Sequence, residues 1–68
     1  MKINTQKYEL ACARACMSSS DVARASGINR NTLNTLLRRN SGNPATVGKI
    51  AKALGVDALD IIEQEEGS

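Results

Sequence analysis

A chain of 68 residues with one aromatic side chain, no histidine, two cysteines and a formal net charge of +2 is a single small domain. These counts exclude Ser-His and Cys-His catalytic pairs and imidazole metal sites. Two cysteines fall short of a four-ligand zinc site, and Tyr8 alone cannot build the aromatic platforms that stack single-stranded nucleic acid. No apolar run reaches the length of a membrane span, and the opening segment (1–7) is polar, unlike a signal segment. A cytoplasmic, non-enzymatic protein without cofactor or metal is expected.

The small net charge hides an asymmetry. Residues 1–56 carry nine lysines and arginines against Glu9 and Asp21, a net +7, whereas 57–68 carry five acids and no base, a net −5. A basic body suits a polyanionic partner; the alternative is solvated surface charge with no partner.

The apolar period is helical throughout, and five short helices are expected. The first covers about 5–17, with Tyr8, Cys12 and Ala15 on one stripe and Ala11 and Cys16 beside it. The second covers about 19–26. Ser18 and Asp21 have the form of a capping box, Val22 and Ala23 face inward, and Gly27 suits the left-handed position that ends a helix. The third covers about 30–39, capped by Asn29. Leu33, Leu36 and Leu37 form its inner stripe, and Arg30, Asn31, Asn34, Thr35 and Arg38 its outer face. The turn formers Asn40, Ser41, Gly42, Asn43 and Pro44 then make a loop.

The fourth helix begins between Pro44 and Val47, with either Pro44 as first residue or Thr46 as cap. Its stripe is Val47, Ile50, Ala51 and Leu54, and Gly55 ends it. The fifth runs from an Asp57 cap to about Glu63, with Leu59 and Ile62 inward and Ile61 unassigned. The helical core is therefore about 5–63, followed by an acidic tail (64–68).

Cys12 and Cys16, four apart on a helix, have Cβ atoms about 5–6 Å apart, too far for a disulfide, which needs about 3.8 Å. Cys12 is expected in the core. Arg24, Lys49 and Lys52 are expected to be solvated.

The second and third helices meet through Gly27, Ile28 and Asn29, the tight corner of a helix-turn-helix. The spacing Ala23-x3-Gly27-x5-Leu33-x2-Leu36, with Val22 and Ile28 apolar, resembles the helix-turn-helix of the Cro/C1-type (XRE) family of repressors. So does Asn43-Pro44 followed by Lys49-Ile50-Ala51-Lys52-Ala53-Leu54-Gly55-Val56. The resemblance extends over about 8–62 without a gap. It implies an all-α, compact five-helix lambda-repressor-like domain.

The resemblance also implies roles. The start of the third helix would enter the major groove, with Arg30, Asn31, Thr32, Asn34 and Thr35 at base edges. Arginine suits guanine, asparagine suits adenine, and a threonine methyl suits the thymine methyl. Ser18, Ser19, Asn29, Arg38, Asn40, Asn43 and Thr46 fall at backbone-phosphate positions, which fix register. The dimer surface would include Val56, Ala58, Leu59 and Ile61.

Two departures stand out. An arginine in the first helix and a glutamate late in the third, paired in many family members, are here Cys12 and Leu37. Both changed together, and the two are expected to touch. The glycine usual after that glutamate is Arg39, so the end of the third helix should be shaped differently. Arg38 and Arg39 also suit the last turn of a helix electrostatically; phosphate contact is expected of Arg38 only.

The implied function is sequence-specific binding of double-stranded DNA by a phage or mobile-element repressor. It would act as a weak homodimer, completed on a near-palindromic operator with half-sites about 34 Å apart. No membrane or small-molecule partner is evident. The alternative is a helical protein-interaction module, an antitoxin or anti-repressor partner, for which the acidic tail would matter. The chain looks closer to a Cro-like short form than to a two-domain repressor.

Overall fold

The computed structural model describes residues 1–63, and the expected acidic tail (64–68) lies outside the described residues. Four helices follow one another: α1 (Thr5–Ala15), α2 (Ser19–Ser26), α3 (Arg30–Arg39) and α4 (Pro44–Leu54). A single 3₁₀ turn, Ala58–Asp60, completes them. The fold is all-helical, as expected, with no strand among the described residues.

Each element starts on a side-chain cap. Asn4, Ser18, Asn29, Asn43 and Asp57 each accept a hydrogen bond from a free backbone amide of the first turn. Pro44 takes the first position of α4, where its missing N–H costs nothing. Each helix ends on a residue in the left-handed region: Cys16, Gly27, Asn40 and Gly55. Left-handed Cys16 stops α1 at Ala15, two residues short of the expected end, and lets the Met17 amide reach the Cys12 carbonyl at 3.0 Å.

The core is one cluster with α4 at its centre, packed against α1, α2 and the 3₁₀ turn. Val22, Leu33, Val47, Ile50 and Ile61 have no exposed area. Cys12 and Leu37 are both half-buried against this cluster, consistent with apolar groups replacing a charged pair.

Two expectations at the chain ends need correction. The expected fifth helix is only one 3₁₀ turn, held by a reciprocal Asp57–Asp60 capping box. Leu59, expected inward, is 54% exposed, Ile62 is buried as expected, and the unassigned Ile61 is wholly buried. Ile61 therefore offers nothing to a dimer surface. The opening residues, for which no element is expected, form an extended segment lodged between two others. The Ile3 amide donates to the Asn40 carbonyl (2.8 Å) and the Asn4 amide to that of Ile61 (2.9 Å). In return Met1 and Lys2 carbonyls accept from Gly42 and Glu63 amides, both at 2.9 Å. Ile3 seals the core from this side. Long-range pairing of this kind leaves no periodic trace in a sequence.

Candidate nucleic-acid interface

The corner between α2 and α3 is built as the residue types require. Left-handed Gly27 (φ 74°) turns the chain, and the Ile28 amide returns to the Ala23 carbonyl at 3.1 Å. Ala23 is buried in the core cluster, and Ile28 packs half-buried against it. Leu33 and Leu36 pin α3 by its inner side, so Arg30, Asn31, Thr32, Asn34, Thr35 and Arg38 are all exposed.

The serines at the start of α2 have separate tasks. The Ser18 amide and hydroxyl both donate to Asp21 at 3.0 Å, and the Asp21 amide donates to the Ser18 hydroxyl. These bonds hold the Asp21 carboxyl below the ordinary carboxylate range. Ser19 bonds the Tyr8 hydroxyl at 3.2 Å, tying α1 to α2. Burial pushes the Tyr8 phenol up to about 12, partly countered by Ser19. Ser20, for which no role is expected, accepts from Arg30 Nη1, while Arg30 Nε donates to Asn34 Oδ1 at 3.3 Å. Two expected base readers, Arg30 and Asn34, are thus bonded to each other, and Arg30 is moored to α2.

Similar commitments appear elsewhere. Asn29 Oδ1 accepts from the Asn31 amide (2.7 Å), leaving the Asn29 NH2 free to donate outward. Asn43 Oδ1 takes the Thr46 amide (2.8 Å), so the donor left at this helix start is the Asn43 side-chain NH2 rather than the expected Thr46 N–H. Asn40 Oδ1 accepts from the Thr5 hydroxyl (2.7 Å), which turns that residue toward α1.

Between α3 and the loop that follows it lies an open concavity of about 390 Å³. Asn31, Thr32 and Thr35 line one wall, and Ser41, Asn43 and Thr46 the other. No carboxylate lines it, and its cation is Arg39. Arg38, the expected phosphate ligand, is exposed but outside it.

Residues 10–66 match the profile of one protein family, the Cro/C1-type HTH DNA-binding domain. The chain belongs to that family. Among curated proteins and among solved structures, none matches it. As a Cro/C1-type HTH domain it is a sequence-specific DNA-binding module of transcription regulation, and DNA is its partner. The family is non-enzymatic. The match spans the helix-turn-helix, the concavity and the 3₁₀ turn. Among the described residues of this Cro/C1-type domain, no helix is long and apolar enough to cross a membrane.

Proposed function

We propose that this Cro/C1-type domain is a transcriptional repressor of phage or mobile-element type that reads one operator half-site with α3 and acts as a two-fold dimer in the cytoplasm. The observation that carries the reading is the pairing of an exposed polar α3 face with an acid-free concavity beside it. A DNA strand needs both: base edges for the first, phosphates for the second.

Asn31, Thr32 and Thr35 take the leading part at base edges, with Arg30 and Asn34 acting as a bonded pair at the tip. Asn29 and Asn43 serve phosphates through their free amide NH2 groups, and Ser18, Ser19, Arg38 and Asn40 complete the backbone contacts. Repression follows from occupancy, because a protein seated across a promoter excludes the polymerase.

Recognition by a single α3 covers few base pairs, so two copies are needed for specific affinity. Val56, Ala58 and the exposed Leu59 form the proposed dimer surface. Leu10 of α1, 59% exposed, shares a groove with Val56 and extends that surface. Lys7, Arg14 and Asp60 give the groove both charge signs, which suits a self-complementary two-fold contact.

Selection of bound sequences from random double-stranded DNA, followed by salt titration on the selected site, tests the reading. A near-palindromic site and affinity that falls as salt rises are expected. Binding with no sequence preference, or a strict monomer on DNA carrying both half-sites, would overturn it.

A further inference from the structure

We propose that Arg39, at the position where the family usually has glycine, anchors a DNA backbone phosphate at the rim of the major groove; this rests on the DNA-binding reading above.

Asn31, Thr35 and Arg39 are spaced four residues apart along α3 and line one concavity. From Asn31 to Arg39 the helix rises about 12 Å, which is about the width of the major groove. With Asn31 at the base edges, the far end of α3 emerges where the sugar–phosphate wall stands. A guanidinium there faces phosphate oxygens, not bases.

The helix end is built to allow this. A glycine is favoured where the chain turns left-handed, and here that conformation has moved one residue on, to Asn40 (φ 56°). Asparagine tolerates it better than other side chains. Arg39 therefore stays helical as the last residue of α3. The Thr5–Asn40 hydrogen bond draws the cap toward α1, while Arg39 stands on the concave side with Ser41 and Asn43 opposite. Among the described residues the ion pair is Lys2–Glu63, and no carboxylate lines the concavity in which Arg39 stands. A planar guanidinium beside hydroxyl and amide donors is suited to two oxygens of one phosphate.

The competing role is a last-turn cation that steadies the α3 dipole. The two roles differ in what they change. A phosphate contact sets the salt dependence of binding; a dipole contact sets the melting temperature.

The test compares Arg39→Ala, Arg39→Lys and Lys52→Ala on the selected operator and on a scrambled duplex, across a salt series. Lys52 lines a separate groove with Ala25 and Ser26 and removes the same charge away from α3. Arg39→Ala is expected to weaken both duplexes alike, by about threefold to tenfold, and to reduce the slope of log affinity against log salt by about 0.9. Arg39→Lys should recover most of the slope and less of the affinity, and Lys52→Ala should leave both near wild type. If Arg39→Ala leaves the slope where Lys52→Ala leaves it, or shifts only the melting temperature, the proposal fails. Lost preference at a single base pair would also overturn it, by making Arg39 a base reader. Equal weakening with the slope change, on a wild type that shows no sequence preference, would keep Arg39 as a phosphate anchor and sink the repressor reading. Absence of any DNA binding by the wild type would end both.

Discussion

Gly42 lies against Leu36 so closely that a Cβ added to it would stand 2.5 Å from Leu36 Cδ1 and 3.4 Å from Val47 Cγ2. The loop after α3 thus rests on the same leucine that fixes α3 to the core. Gly42→Ala is expected to cost about 1–3 kcal/mol, as overpacking does, and to weaken DNA binding by displacing one wall of the concavity. Gly48→Ala makes the contrast, since nothing lies within 4 Å of its added Cβ. In the middle of α4 it should stabilise by roughly 0.5–1 kcal/mol. Denaturant unfolding of the two variants measures both; equal effects would show that the loop does not bear on Leu36.

Tyr8, the sole tyrosine, gives an alkaline signature. Its folded value near 12 lies above the ordinary 10.0, so folding favours the protonated phenol. This contribution is complete below pH 10.0. From there to about 12 the unfolded chain gives up its proton while the folded chain keeps it, and stability falls as pH rises. Phenolate absorbance should therefore appear well above pH 10.0 in the folded protein. Ser19→Ala should delay it further, because Ser19 favours the phenolate. A midpoint at the ordinary value would contradict the burial of Tyr8 between α1 and α2.

Arg30 and Asn31 are neighbours with separable parts. Arg30 bridges Ser20 and Asn34, an exposed arrangement whose loss should cost under about 1 kcal/mol of stability and weaken binding on every sequence. Asn31→Ala should leave stability unchanged and erase preference at one base pair, about 1–3 kcal/mol of discrimination. Affinities measured on single-base operator variants separate the two. If Arg30→Ala instead erases a single-base preference, its bond to Ser20 must break on DNA.

Cys12 and Leu37 are each half-buried on the common core. Leu37→Glu alone would set an unpaired carboxylate there, at about 1–3 kcal/mol. Cys12→Arg with Leu37→Glu should recover a substantial part, because the two positions are expected to be in contact. Strict additivity in a double-mutant cycle would mean that they do not meet.

What the sequence disclosed was what lies within one turn of a residue. The Ser18–Asp21 box, the Asn29 cap and the Gly27 corner are each decided by three or four neighbours, and all three are legible from residue types. Leu59 and Ile61 were not, because two residues decide which one points inward when a helix shrinks to a 3₁₀ turn. The Arg30–Ser20 and Thr5–Asn40 bonds join residues 10 and 35 positions apart, and nothing local announces either. The candidate interface was therefore legible as a set of exposed residues, but not as a set of donors already in use. Arg39 was visible eight places after Asn31, yet its side of the helix depended on Asn40 taking the turn.

The extended segment at the start of the chain has a consequence for synthesis. Ile3 faces Ile62 across a backbone bridge, and Lys2 faces Ser41 across another. A ribosome delivers the chain from its first residue, so Ile3 must wait for nearly the whole domain before its partner emerges. Until then the opening segment is held on one side only, by its bonds to Asn40 and Gly42. The nascent domain can form its helix-turn-helix early, yet Ile3 gains its second backbone neighbour only after the 3₁₀ turn has emerged.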